Sequence, residues 1–262
     1  MDTANLEYLQ SNLKHTGFGE KLNAELEKQI KTGVPEFTLR TSEYYMRPDS
    51  KKDDLSTKDK VDYALQFRKG KDSERYFFNS YTASLEKNGR TAEHKFYIDK
   101  GNGMTRKEAY NLLDGRAVHK ELKTKEGESY NAWLKLDPEK KDAKKPFLSY
   151  GEGYGHDVVK APGKHAIKEL GDEAAMKKVV DGLEKGNLVP VTYMRGDGKE
   201  EKMLAVANPQ FKLVNLYGMD GRKVFVENAV KSESGLAAAN GQKVEGVEAK
   251  VETEEKRGRK RG

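Results

Sequence analysis

The chain predicts an α+β fold in which short helices pack on antiparallel meander sheets. Three observations point there. A glycine, a helical stretch, a second glycine and a strand-like run recur three times, at Gly19 to Gly33, Gly101 to Gly115 and Gly171 to Gly186. Between the first two copies, apolar and polar residues alternate in runs broken by turn signals. Thirteen Tyr, nine Phe and one Trp supply core-forming side chains to an otherwise polar chain.

The elements follow in order. Leu6, Leu9 and Leu13 have helical spacing from Asp2 onward, with Gly17 as the stop. Leu22, Leu26 and Ile30 lie one turn apart, and Gly33 followed by Pro35 closes that helix before the run VPEFTLR. Met46 to Lys60 is polar and reads as a long loop. Val61, Tyr63, Leu65 and Phe67 alternate with polar neighbours. Arg75 to Leu85 is the most aromatic run, and strict alternation puts Phe77, Asn79 and Tyr81 on one face and Tyr76 and Phe78 on the other. Thr91 to Asp99 aligns His94, Phe96 and Ile98, and Asn88-Gly89 marks the hairpin between the last two runs.

Thr105 and Glu108 form a capping box for the helix carrying Ala109, Leu112 and Leu113. A strand follows Gly115, and another runs from Tyr130 to Asp137. Pro138 to Pro146 is a charged loop, and Phe147 to Leu170 reads as irregular. Met176, Val179, Val180 and Leu183 make the third helical stripe. After it come a strand, a Gly196-Asp197-Gly198 turn, a strand near Met203 to Ala207, and a hairpin from Phe211 to Val226 closed at Asp220-Gly221.

The second and third copies align without a gap at an offset of 71, pairing Gly115 with Gly186, Gly127 with Gly198 and Pro138 with Pro209. An internal helix–hairpin duplication is therefore expected. The domain plan is residues 1–100 as N-terminal helices with an aromatic meander, 101–228 as the duplicated region, and 229–262 as a disordered tail with a basic end.

Charged residues and the hydrophobic set each make up 35% of 262 residues, so modest cores under wide charged surfaces are expected. The net charge of +6 comes from 49 basic against 43 acidic residues, a small excess within a mixed surface. No cysteine is present, which excludes disulfides, thiolate nucleophiles and thiolate metal sites. It fits a reducing compartment, and a cytoplasmic location is expected. The first fifteen residues lack the charge and apolar pattern of a signal peptide, and no run of 18 apolar residues marks a membrane span.

The chemical motifs are few. Lys256, Arg257, Arg259, Lys260 and Arg261 form a basic run at the C-terminus, a type of segment that neutralises phosphates and gains affinity from counterion release. The bland reading is a solubilising tail. The aromatic strand beside Arg68, Lys69, Lys71 and Arg75 reads either as core or as a base-stacking surface, core being the expectation. Gly151, Gly153 and Gly155 lack the strand and helix context of a phosphate loop. His15, His94, His119, His156 and His165 show no i, i+4 pair, so neither metal nor cofactor is expected.

Several strings resemble a known family: FGEKLNAELEKQI from Phe18, FNSYTASL from Phe78, NLLDGRAVHKEL from Asn111, YNAWLKLD from Tyr130, YGHD from Tyr154, LEKGN from Leu183 and NPQFK from Asn208. The resemblance is to an uncharacterised domain family encoded on conjugative mobile elements of gut anaerobes, whose members are sometimes labelled topoisomerase-related. It spans about residues 15–226 and brings no catalytic residues to carry over. It implies an accessory role near DNA on a mobile element.

The expected function is a non-enzymatic, nucleic-acid-associated accessory protein of a mobile element. Its contact is electrostatic and without sequence specificity through the tail, with DNA favoured over RNA as partner. Two alternatives stand: a protein-interaction or scaffold module without nucleic-acid binding, and an enzyme with an unrecognised site. No membrane partner is expected.

Overall fold

A computed structural model describes residues 2–98, 103–137, 139 and 146–225. They belong to one compact unit with the expected α+β architecture: four helices and three antiparallel meander sheets. Helices α1 (Thr3–His15) and α2 (Asn23–Thr32) precede strands β1 (Glu36–Tyr45), β2 (Asp59–Lys69), β3 (Tyr76–Lys87) and β4 (Arg90–Tyr97), which form the first sheet in chain order. Helix α3 (Arg106–Leu113) leads into β5 (Val118–Lys123), β6 (Ser129–Leu136) and β7 (Phe147–Gly151). Helix α4 (Glu173–Glu184) leads into β8 (Val189–Met194), β9 (Glu200–Asn208), β10 (Leu213–Gly218) and β11 (Lys223–Val224), again in chain order.

The helix ends follow from local chemistry. Asp2, Thr105 and Asp172 cap α1, α3 and α4 by accepting from main-chain N–H groups three residues on, and Thr105 with Glu108 completes the capping box. Three helices close on a glycine with positive φ and the same pair of bonds. Phe18, Arg116 and Asn187 donate to the carbonyls of Leu13, Asn111 and Gly182, at 2.9, 2.9 and 3.0 Å. The glycines between, at 17, 115 and 186, take φ of 89°, 78° and 72°.

The recurrence at an offset of 71 is also seen in element boundaries. Residues 118–123 of β5 map onto 189–194 of β8, and 129–136 of β6 fall within β9. This is a recurrence of local architecture and does not by itself make the two units copies.

The first core lies between the inner face of the first sheet and helices α1, α2 and α3. Phe18 stands edge-on to Tyr63 and Tyr81, at 5.4 and 5.2 Å. The middle of β6 in the second sheet is buried on both sides. Ala132 and Leu134 belong to the first core, while Trp133 between them belongs to a second, built by α4 and the third sheet.

Two sequence expectations change. The aromatic strand does not alternate strictly, because the β2–β3 register slips by one: Gln66 pairs with Ser80 and Phe67 with Phe78. Asn79 is the extra residue of a β-bulge. Tyr76, Phe78 and Tyr81 are therefore all buried in the core, and Phe77 points outward, 48% exposed. Phe147 to Gly151, read as irregular, forms β7 and pairs with Leu136 to Ala132. Pro138 and residues 140–145 of the expected charged loop, with the whole stretch from 226 on, lie outside the described residues.

Candidate functional site

The first sheet is covered on one face only. Its outer face can be read row by row from the strand register. Arg40, Ala64, Thr82 and Lys95 form one row, and Thr38, Gln66, Ser80 and Tyr97 the next. Beyond the bulge, Glu36, Arg68 and Phe77 follow. On the other side lie Ser42, Asp62, Ser84 and Glu93, then Tyr44, Lys60, Glu86 and Thr91.

This face is polarised. One half carries Arg40, Arg68 and Lys95 with Glu36 as the single acid. The other carries Asp62, Glu86 and Glu93 with Lys60 as the single base. Arg68 pairs with Glu36 at 3.1 Å and Lys60 with Asp62 at 2.9 Å. Arg40 and Lys95 are exposed and form no ion pair among the described residues. The Lys95 ammonium lies 5.6 Å from the centroid of Tyr97, which is 60% exposed. Small side chains lie between the cations, and Ser80 donates to Gln66 Oε1 at 2.7 Å, keeping the middle of the face flat. The basic half thus offers two exposed rings, Phe77 and Tyr97, beside two cations with no acidic partner.

A second polar cluster lies on the opposite, buried side. Asp59 at the start of β2 is 1% exposed and accepts from the Tyr110 hydroxyl at 3.0 Å. The Lys87 ammonium is 3.2 Å away and also pairs with Asp114. Tyr45 stacks on Tyr110 with centroids 4.1 Å apart. The Lys107 ammonium lies 4.7 and 4.6 Å from those two ring centroids, on a residue that is exposed overall. Burial, with the nearby Arg116 charge, lowers its pKa to about 8. Burial likewise raises the pKa of Tyr63, Tyr81 and Tyr110, whose hydroxyls donate to the Arg106 carbonyl, the Met104 carbonyl and Asp59.

A cleft of about 1010 Å³ opens between the β3–β4 hairpin, the end of α3 and β6–β7. Its lining includes Leu85, Leu112 and Leu136, the paired Lys87 and Asp114, and further polar side chains such as Arg90, Glu93 and His94. His94 borders it and meets Phe96 and Phe147 edge-on, with burial lowering its pKa. His119 lies 3.6 Å from Glu184, and His165 Nε2 bonds to the Val214 carbonyl at 2.9 Å. Among the described residues no three His, Asp or Glu side chains gather as a metal ion would require. Gly151 to Gly155 ends β7 and makes one tight 3-10 turn, so these glycines open no helix, as the motif's context already indicated.

Comparison with known proteins adds no relative. No protein-family model, curated protein or solved structure matches the chain.

Lys256, Arg257, Arg259, Lys260 and Arg261 lie outside the described residues. The residues that sequence reasoning missed are Arg40, Lys95 and Tyr97. Only strand pairing places them together, and the alternation in β4 is the one sequence signal that turns Lys95 and Tyr97 away from Phe96. No helix among the described residues is long and apolar enough to cross a membrane.

Proposed function

We propose that this chain is a non-enzymatic, nucleic-acid-associated accessory protein. The basic half of the first sheet contacts single-stranded nucleic acid, and the C-terminal basic run at 256–261 adds electrostatic capture. The observation that carries the reading is the pairing of exposed Phe77 and Tyr97 with Arg40 and Lys95 on an open sheet whose other face is covered. Exposed rings stack unpaired bases of any sequence, and adjacent cations meet the phosphates between them. DNA is the favoured partner, and the setting on a mobile element rests on the family resemblance.

The test is fluorescence anisotropy with a labelled single strand and a duplex of the same sequence. Full-length protein is expected to prefer the single strand. Deleting residues 256–262 is expected to lower affinity for both and to flatten the salt dependence. Absence of binding to either at moderate salt contradicts the reading.

A second reading, a protein-interaction module, is favoured by the ion pairs interspersed over the rest of the surface. Lys14–Glu20, Lys168–Glu200 and Lys177–Asp181 are examples. A pull-down that yields proteins and survives nuclease treatment would support it.

A further inference from the structure

Strand β1 is an outer strand of the first sheet, ten residues long and paired with β2 without a slip. One hydrogen bond shows which way its main chain points. The Lys69 N–H donates to the Pro35 carbonyl at 2.7 Å, one residue beyond the pair Glu36–Arg68. Antiparallel alternation then closes Phe37, Leu39, Thr41, Glu43 and Tyr45 onto β2. It turns the N–H and C=O of Glu36, Thr38, Arg40, Ser42 and Tyr44 away from the sheet. Those groups have no hydrogen-bond partner among the described residues.

The other edges of the first and third sheets differ. In β8 the edge is closed: Met194 N–H donates to the Ala166 carbonyl at 2.7 Å, and Thr192 N–H to the Glu169 carboxylate at 2.8 Å. Strand β11 has two residues. Strand β4 is shorter than β1, with Glu93 and Lys95 among its outward positions. A long, regular edge with neither proline nor lysine is a template for another strand.

We infer that the β1 edge pairs, antiparallel, with β1 of a second copy of this chain about a two-fold axis at Ser42. The pattern of side chains singles out this occupant. Arg40 and Tyr44 are four residues apart, so an axis midway sets each Arg40 opposite the partner's Tyr44, a cation–aromatic pair made twice. The same axis lays the basic half of each outer face beside the acidic half of the other. Tyr44, 43% exposed, becomes covered. The two outer faces join on one side of an eight-stranded sheet. The inference stands on the strand edge and does not require nucleic-acid binding, although both use Arg40.

The experiment uses the full chain, which has no cysteine. Light scattering after gel filtration is expected to give a dimer mass at micromolar concentration. In a single-cysteine pair, Ser42→Cys is expected to be captured as a dimer by a short bis-maleimide, and Glu36→Cys, far from the axis, at least tenfold less. Arg40→Pro removes an outward N–H that β2 does not use, and a folded monomer is expected. Arg40→Glu, which keeps the backbone, is expected to weaken dimerisation at least tenfold. A monomer mass at all concentrations, or equal capture at positions 42 and 36, overturns the inference and leaves the edge to a strand of another protein.

Discussion

The Arg116 guanidinium donates to the main-chain carbonyl of Gly186 across a buried 3.0 Å hydrogen bond. Arg116 follows the glycine that closes α3, and Gly186 is the glycine that closes α4, so the two helix ends dock on each other. Asn111 strengthens the joint, donating to the Lys185 carbonyl at 2.6 Å and to Asn187 Oδ1 at 3.0 Å. The string NLLDGRAV therefore has a structural meaning: it carries the side chains that bind the next unit's helix cap.

The two glycines at that joint differ in cost. A Cβ at Gly186 would lie 2.5 Å from the Ala117 carbonyl oxygen, at a φ of 72°. A Cβ at Gly115 meets nothing within 4 Å, at a φ of 78°. Gly115→Ala is expected to cost about 1 kcal/mol for the left-handed backbone alone. Gly186→Ala is expected to cost about 2–4 kcal/mol, because the clash adds to it. Urea unfolding of both variants checks the difference.

The bulge at Asn79 decides which aromatics are core. Deleting Asn79 restores strict alternation and drives either Tyr81 or the pair Tyr76 and Phe78 out of the first core. Each of these rings is now at most 5% exposed. Loss of a cooperative thermal transition, followed by circular dichroism, is expected. An Asn79→Ala variant keeps the count and is expected to retain the transition.

The helix ends, the capping box and the alternation of β2 were legible in the sequence because each is set by residues within one turn or one strand. Gly17, Gly33, Gly115 and Gly186 take positive φ where the pattern placed helix stops. The bulge was not legible: one inserted residue leaves composition and turn signals unchanged and shifts only the count. Strand β7 was hidden because its residues are only half-buried or exposed, which leaves no clean alternation. The rows of the outer face exist only once four strands are in register, so no local pattern joins Arg40 to Lys95.

Asp59 holds buried charge in place. Asp59→Ala leaves the Lys87 ammonium and the Tyr110 hydroxyl without the carboxylate they share, a loss expected to cost about 3–5 kcal/mol. Equilibrium unfolding at neutral pH measures it, and a cost below about 1 kcal/mol would show that Asp114 alone satisfies Lys87.

Lys107 links the fold to pH. Its pKa falls from an ordinary lysine value to about 8 in the fold. Between about pH 8 and 10 the unfolded chain therefore holds more proton at this site, and its contribution to stability rises with pH. Below that window the folded state carries the cost of its charge. Lys107→Met is expected to lose that rise. Stability of both forms between pH 7.5 and 9.5 checks the sign, staying below the range where the buried tyrosines begin to matter.

The central claim is that the basic half of the first sheet binds single strands by stacking. Phe77→Ala with Tyr97→Ala removes both rings from exposed positions, leaves the core aromatics in place, and keeps the tail. Stacking on one ring contributes about 1–3 kcal/mol per base. The direct measurement is the Kd for a labelled single-stranded oligonucleotide, compared between the full-length chain and this double variant at one salt concentration. At least a tenfold loss with little change in duplex affinity is the predicted result. An unchanged Kd in a folded double variant would contradict the claim and leave any binding to the tail.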